Sequence, residues 1–257
     1  MEIKVKRRRF EAPPQTRQSR LTVWLRSRGA VLDDVELRDD AYGGLGVFAS
    51  GRTFAAGDVV LNIPIETVLT TLKAVESPAG RAMRRIYPSA SSEAVLFAYM
   101  CIGRADATHP WHEYLATLPV MAPDPLSWTI TQRARFAGTD FGLAIAAAER
   151  EIDAVCAFAA KISAADPVRF PPVALSAQRL RWARGMYRSR RLPASLAERA
   201  QGDDEGVLVP FLDFFNHSAD AGSAIQGGTA AGVSVTVRPR GTVPSYGRDG
   251  GCDARPA

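Results

Sequence analysis

The most informative segment of this sequence is Phe211-Leu212-Asp213-Phe214-Phe215-Asn216-His217-Ser218. Asp213, Asn216 and His217 interrupt a run of residues that would otherwise belong to a packed core. Because burying a polar group without a hydrogen bond costs about 1–3 kcal/mol on mutational scales, the segment predicts a site that polar chemistry must reach. Two plainer interpretations stay open from the segment alone: a strand that ends in an Asn-His-Ser turn, and an N-glycosylation site.

The composition is that of a folded protein without a membrane span. The chain has 257 residues, of which 46% are hydrophobic and 23% are charged, and these are ordinary values for globular proteins. No apolar run approaches the roughly 18 residues that a membrane span requires. The basic start of the chain has no apolar stretch after it, so it does not predict a secretory signal. We therefore expect a protein of the cytoplasm or nucleus, with an organelle stroma as the remaining alternative, and no membrane partner.

The formal net charge of +5 lies entirely in residues 1–20, which carry seven basic side chains against Glu2 and Glu11. Residues 21–257 are therefore neutral overall. Such a basic segment is typical of a nuclear address, a nucleic-acid contact or a solvated, disordered end. Because the rest of the chain shows no basic face, we expect a disordered tail over residues 1–20 and no direct binding of nucleic acid.

The cysteines and histidines do not predict a metal site. The three cysteines are far apart, no Cys-x-x-Cys pair occurs, and the chain has only three histidines. His109 and His112 flank Trp111 in a predicted loop and are interpreted as surface residues. A hydrolase that uses His217 as its base is a further alternative, but the Gly-x-Ser-x-Gly motif is absent.

Along the chain, a β-rich part precedes a helical part, and one more strand follows. Tyr42-Gly43-Gly44-Leu45-Gly46-Val47-Phe48-Ala49 and residues 54–64 predict a small β-unit. The glycines lack the full Gly-x-Gly-x-x-Gly pattern of a dinucleotide site, although they still allow close backbone approach to a ligand. Alternating residues 233–237 predict the later strand. Helices are predicted to begin at three polar residues: Ser91 or Ser92, Asp140, and Ser176.

Taken in this order, the motifs resemble those of the SET-domain protein methyltransferases. Gly-Gly-x-Gly-Val-Phe-Ala, an Ala-Gly-Asp turn and a strand ending in Ile-Pro come first. Trp-x-x-Tyr-Leu-x-x-Leu-Pro and a helix ending in Ser-Arg follow, and Asp-x-x-Asn-His-Ser comes last. The resemblance covers roughly residues 20–220 and is to the branch of the Rubisco large-subunit lysine methyltransferase and its actin-histidine-methylating relatives.

The resemblance implies an α+β fold, in which a β-rich SET core of small sheets is interrupted by an α-helical insert. We expect the SET domain to span residues 21–240, with the insert at about 72–205, and residues 241–257 to form an irregular C-terminal tail. The family's separate C-terminal substrate-binding domain is expected to be absent. A monomer is expected.

The resemblance also implies that the cofactor is S-adenosylmethionine and that the substrate is a protein, with a lysine side chain as the acceptor. Matched by motif, Gly44, Leu45 and Gly46 are expected to lie against the cofactor through their backbone. Cofactor contacts are likewise implied for five later residues: Ser189, Arg190, Asp213, Asn216 and His217.

The sequence departs from the family after the Asn-His segment. Family members have a Gly-Glu-Glu turn before a Ser-Tyr-Gly motif that bears the catalytic tyrosine, whereas here Gly241-Thr242-Val243-Pro244 precedes Ser245-Tyr246-Gly247. Tyr246 is therefore either the catalytic tyrosine or a coincidence. Two alternatives to a lysine methyltransferase follow: a catalytically impaired SET-like binding module and a protein-histidine methyltransferase.

Overall fold

A computed structural model describes residues 16–40, 43–197, 206–216, 223–229, 232–237, 243–246 and 252–255. The α-helices are α1 Arg17–Arg26, α2 Thr71–Glu76, α3 Pro78–Ile86, α4 Ser92–Ala105, α5 His112–Thr117, α6 Ile130–Ala134, α7 Asp140–Ala165 and α8 Ala177–Arg190. The strands are β1 Val35–Asp39, β2 Leu45–Ala49, β3 Val59–Ile63, β4 Leu69–Thr70, β5 Leu192–Pro193, β6 Gly206–Leu208, β7 Ser223–Thr229, β8 Gly232–Val237, β9 Val243–Tyr246 and β10 Cys252–Arg255.

The strands form small antiparallel sheets that bring distant parts of the chain together. β1 pairs with β2, whereas the other two sheets before the C-terminal strands have the orders β3-β8-β7 and β4-β6-β5. In the β3-β8 pair, buried Leu61 and Ile63 lie opposite buried Val235 and Val233, so the pairing closes over an apolar face. The sequence pattern correctly predicted both strands of this pair, because β8 alternates apolar and polar residues and β3 is rich in β-branched residues that follow a Gly-Asp turn.

Seven of the eight described α-helices, α2 to α8, lie between β4 and β5 along the chain, and α1 precedes β1. α4 is buried along consecutive residues from Ala94 to Cys101, and α8 packs against it with a face that includes Leu180 and Tyr187. A helix that is apolar around most of its circumference is expected at the centre of a helical layer. α8 in turn contacts the strands through the Tyr187 hydroxyl, which donates to the carbonyl of Gly206 in β6 and accepts from its amide.

Several boundaries differ from the sequence predictions for local reasons. α1 begins at Arg17, inside the predicted disordered tail of residues 1–20, because Thr16 caps it by accepting from the Ser19 amide. Thr139 rather than Asp140 caps α7, and α4 is capped by Ser91. The helical insert was expected to extend to about residue 205. Its last α-helix, α8, ends at Arg190, and β5 follows and pairs with β6. The remainder of the tail prediction, residues 1–15, lies outside the described residues.

The C-terminal tail was predicted to be irregular, and this prediction is wrong for part of it. β9 and β10 pair antiparallel, with Cys252 opposite Tyr246 and Arg255 opposite Val243. Asp249-Gly250 lies between the two strands, and Asp-Gly is a strong hairpin signal that the high glycine content obscured. The other residues of the tail lie outside the described part of the chain.

The described helices contain no apolar stretch long enough to cross a lipid bilayer. Within the same described residues, the histidines, cysteines and carboxylates form no group of three that would hold a metal ion.

Candidate functional site

The segment that contains Asp213 follows β6 through an unusual backbone turn. Phe211 has a φ of 75°, in the left-handed region that non-glycine residues rarely adopt, and its side chain is fully buried. Such a conformation costs on the order of 1–3 kcal/mol, and the burial of the phenyl ring offsets this cost. Residues Leu212–Phe214 then form one turn of 3₁₀-helix, which carries Asp213 away from the strand direction.

Asp213 is the centre of a buried polar cluster. Its side chain has no exposed surface, and its Oδ2 accepts a 2.8 Å hydrogen bond from the Tyr114 hydroxyl. Nη1 of Arg190 donates to the same oxygen at 3.2 Å and to the Asp213 carbonyl at 2.9 Å. α5 thus supplies the tyrosine, the end of α8 supplies the arginine, and the 3₁₀ turn supplies the acid. We call Tyr114, Arg190 and Asp213 the buried triad.

Burial changes the proton affinities in the buried triad. It raises the pKa of Asp213 from 3.8 to about 6, although the Arg190 charge and the hydrogen bond from Tyr114 act in the opposite direction. Burial also raises the pKa of Tyr114 well above 10.0, and the Asp213 charge adds to this increase. Tyr114 is therefore a neutral hydrogen-bond donor at neutral pH, and Asp213 titrates close to the physiological range.

Two polar atoms of the buried triad have no partner among the described residues. Oδ1 of Asp213 and Nε of Arg190 are both buried without a hydrogen bond. The Arg190 guanidinium also lies 4.9 Å from the centre of the Phe214 ring, so an aromatic face covers one side of the charge. Because such buried atoms are usually satisfied, the acceptor and the donor together indicate a place for a polar ligand.

The glycine-rich segment reaches the same region through Asp40. The Gly44 amide donates to Oδ1 of Asp40 at 2.8 Å, and Nδ2 of Asn216 donates to Oδ2 of the same carboxylate at 3.1 Å. One carboxylate therefore ties the start of β2 to the segment that carries the buried triad. This contact joins residues 176 positions apart in the chain.

Gly46 lies directly against the Asn216 side chain. A Cβ atom placed on Gly46 would be 2.8 Å from Nδ2 of Asn216 and 3.0 Å from the Phe48 ring, closer than real contacts allow. The absence of a side chain at this position is therefore required for the approach of the two segments. Leu45 is half-buried and packs on the core.

Ser189 and Arg190, which the sequence treated as a pair, lie on different sides of α8. The Ser189 hydroxyl donates to the Gly185 carbonyl of its own helix at 2.7 Å, and Ser189 lines a cavity of about 300 Å³ between α7 and α8. Only Arg190 reaches Asp213. Consecutive helical residues point about 100° apart, so a Ser-Arg pair cannot present both side chains to one small cluster.

The arginines near the end of α8 form ion pairs with acidic residues of neighbouring elements. Arg188 donates to Glu93 at 2.7 Å and to Glu151 at 3.2 Å, and Arg184 donates to Glu151 at 2.8 Å. Arg184 also reaches the buried carboxylate of Asp124 at 2.8 Å. This ion-pair network fixes α8 against α4 and α7, and thus fixes the position from which Arg190 extends.

Two of the predicted site residues cannot be placed by side chain. His217 lies outside the described residues. Tyr246 ends β9, and the structure describes its backbone alone.

The sequence did not identify Tyr114 or Asp40 as site residues. Tyr114 belongs to the Trp-x-x-Tyr-Leu motif that was noticed, but its partner is 99 positions away. His109 and His112 were interpreted as surface residues, and this is wrong. The His109 ring is half-buried 4.4 Å from the ring of Tyr99, and Nδ1 of His112 is 3.0 Å from the Gly103 carbonyl oxygen.

The fold is similar to that of solved structures, although comparisons of the sequence find no match. No protein-family model and no curated protein matches the sequence. The SET domain of LSMT bound to lysine and AdoHcy aligns with a TM-score of 0.68 at 18% identity, covering 86% of this chain and 50% of that chain. Rubisco LSMT bound to sinefungin and monomethyllysine also aligns with a TM-score of 0.68, at 19% identity, covering 87% of this chain and 49% of that chain.

A structure of Rubisco LSMT bound to AdoMet gives a TM-score of 0.67 at 19% identity, covering 87% of this chain and 53% of that chain. This protein therefore spans about half the length of the solved chains that it matches. The chain has the fold of the SET domain, in the form found in Rubisco LSMT.

Proposed function

We propose that this chain binds S-adenosylmethionine and transfers its methyl group to a lysine side chain of a protein substrate. One observation carries the proposal: a buried acid and a buried arginine, each with an unpartnered polar atom, lie beside the junction of the glycine-rich strand and the Asn216 segment. The same fold binds AdoMet, AdoHcy, lysine and monomethyllysine in Rubisco LSMT, which supports this choice of ligands.

The residues present fit such a cofactor. Its amino acid part carries a carboxylate and an ammonium group, for which the free Arg190 Nε and Asp213 Oδ1 are complementary partners. Gly46 lets the β2 backbone lie against the Asn216 side chain, and so places the glycine-rich strand beside the segment that carries the buried triad. When bound, S-adenosylmethionine supplies an electrophilic methyl group on a cationic sulfur.

The chain's own residues would then hold the reactants in line rather than perform acid–base chemistry on the methyl group. Methyl transfer is a displacement that depends chiefly on alignment, so a fixed Asp213 and Arg190 contribute by orienting the donor. A lysine acceptor has an ordinary pKa of about 10.4 and must lose a proton before it attacks. Burial of its ammonium group in an apolar channel would lower that pKa and favour the neutral amine.

Calorimetric titration with S-adenosylmethionine, together with transfer of labelled methyl groups to a mixed protein extract, tests the proposal. We expect saturable binding and labelled lysine in hydrolysed protein. Binding without transfer would support the alternative of a SET-like binding module, and label in histidine would support the protein-histidine methyltransferase. Absence of binding would overturn the cofactor assignment and leave the hydrolase alternative open.

Tyr246 is the proposed catalytic tyrosine, on the motif resemblance. Tyr246→Phe is expected to lower methyl transfer at least about a hundredfold, within the usual range for loss of a polar catalytic group, while the cofactor affinity stays within about twofold. Tyr87→Phe is a matched control, because its ring packs on Phe158 and its hydroxyl has no hydrogen bond among the described residues. Equal activity of both variants would remove Tyr246 from the mechanism.

A further inference from the structure

A groove lies away from the buried triad, between the end of α4 and the start of α8. It has a volume of about 320 Å³, and we call it the Arg104 groove. Arg179 lies in the first turn of α8 and Arg190 in its last turn, so the two are about 16 Å apart along the helix axis at 1.5 Å per residue. The groove is lined by Cys101, Arg104, Ala105, Val120, Gln178, Arg179 and Trp182.

Arg104 is held in a fixed position in this groove. Its guanidinium lies 4.1 Å from the centre of the Trp182 ring, and its Nη1 makes a long, 3.4 Å hydrogen bond to the Pro119 carbonyl. The Trp182 ring is itself fixed, since it is almost fully buried and its Nε1 donates to the same carbonyl at 2.8 Å. A guanidinium stacked in this way keeps most of its N–H donors available.

The charges around Arg104 are all of one sign. Burial lowers its pKa, and the positive charges of Arg17 and Arg179 lower it further. Among the residues that the structure describes, none of these three arginines makes an ion pair with a carboxylate. Of the three, Arg104 alone is partly buried, and in lacking an acidic partner among the described residues it differs from the partly buried Arg184 and Arg190, which each have one.

Arg104 is partly buried and is acted on by the positive charges of exposed Arg17 and Arg179, so an anion beside Arg104 would offset this repulsion. The groove also offers the Gln178 amide, which has two further donors. The first turn of α8 contains no acidic residue, so the positive end of its dipole adds to the field. Arginine forks match the planar geometry of carboxylate and phosphate oxygens, which water or chloride does not reproduce.

We propose that the Arg104 groove is a binding site for an oxyanion, a phosphate or carboxylate group, that is separate from the proposed methyl-transfer site. Arg104 and Arg179 bind the oxygens, and Gln178 donates a further hydrogen bond. Arg17 contributes charge. The site does not depend on S-adenosylmethionine, so the failure of either proposal is distinguishable from the failure of the other.

Nuclear magnetic resonance of the ¹⁵N-labelled full chain tests the site through the arginine Nε–H signals. Sodium phosphate is titrated at constant ionic strength, with sodium chloride as the balancing salt. We expect the signals of Arg104 and Arg179 to shift saturably, while that of exposed Arg150 on α7 does not. A tetraglutamate peptide in a parallel titration distinguishes free phosphate from carboxylates carried on a chain, and saturable binding of either probe supports the site.

Variants make the test specific. Arg179 is exposed, so Arg179→Ala should leave the fold intact and weaken binding of the better probe by about tenfold, as expected for loss of one charged contact. Arg179→Lys should restore part of the affinity, because it keeps the charge without the fork. Arg150→Ala removes the same charge elsewhere and should leave the affinity within about twofold. Unsaturable shifts with both probes, or equal losses in Arg179→Ala and Arg150→Ala, would overturn the proposal.

Discussion

The Tyr114 hydroxyl lies 2.8 Å from Oδ2 of Asp213, and both groups are withdrawn from solvent. The tyrosine comes from the helical insert and the acid from the segment that follows β6. Their contact therefore links the insert to the core at the point where the ligand is proposed to bind. An ion pair with Arg190 completes the link from a third element.

Removal of the tyrosine hydroxyl should destabilise the fold and change the proton affinity of the acid. Tyr114→Phe is expected to lower the free energy of unfolding by about 1.5–3 kcal/mol, the usual range for a hydrogen bond to a charged group. The pKa of Asp213 should rise further, since the hydrogen bond from Tyr114 lowers it. Urea unfolding measures the first effect. Tyr87→Phe, which removes a hydroxyl with no hydrogen bond among the described residues, should change stability by less than about 0.5 kcal/mol.

The raised pKa of Asp213 gives the stability a defined pH dependence. The pKa is about 6 in the folded chain against an ordinary value of 3.8, so the folded chain binds this proton more tightly than the unfolded chain. The resulting stabilisation is full below about pH 4 and is lost as the pH rises through about 6. Unfolding of Asp213→Asn should lack this decline. Asp153→Asn, which changes an exposed acid on α7, should keep it. If the free energy of unfolding falls with pH equally in the wild type and in Asp213→Asn, Asp213 is not the group whose pKa is raised in the folded chain.

The contact between Gly46 and Asn216 should not tolerate a methyl group. Gly46→Ala places a Cβ 2.8 Å from Nδ2 of Asn216, so the exposed Asn216 side chain must move away from Asp40, and we expect a cost of about 0.5–1.5 kcal/mol of stability, the usual net contribution of one hydrogen bond. In Gly44→Ala the nearest atom, Oδ2 of Asp40, is at 3.4 Å, so the change should be within about 0.5 kcal/mol. Thermal unfolding compares the two variants. Similar midpoints would mean that β2 and the Asn216 segment are not in close contact.

Asp40 should affect ligand binding although it is not proposed to touch the ligand. Asp40→Ala removes the acceptor of both the Gly44 amide and the Asn216 side chain, and should weaken S-adenosylmethionine binding by about tenfold, or 1.4 kcal/mol. Asp39→Ala is the matched control, because this exposed neighbour lies in β1. Calorimetry measures both affinities. If the two variants bind alike, the bridge through Asp40 does not organise the site.

Much of the fold follows from local patterns that can be read without the structure. Ser91 begins a helix because its hydroxyl accepts from a free amide of the first turn, whereas Ser176 occupies the same position before α8 without such a hydrogen bond. The sequence of β8 alternates apolar and polar residues because one face of the strand is buried. The order of the motifs then indicated the SET fold. The C-terminal hairpin was missed, because glycine-rich sequence is typical both of turns and of irregular chain.

The candidate site was predicted only in part. The sequence pattern by itself singled out Asp213, Asn216 and His217, because polar residues are conspicuous within an apolar segment, and the resemblance to SET domains added Arg190 and the glycine-rich segment. The sequence did not show that Arg190 reaches Asp213 and Ser189 does not, because this depends on the direction in which each side chain leaves α8. Which polar groups meet was decided by tertiary structure alone. Tyr114 reaches Asp213 across 99 positions and Asp40 reaches Asn216 across 176, and no local pattern encodes a hydrogen bond between groups that only packing brings together.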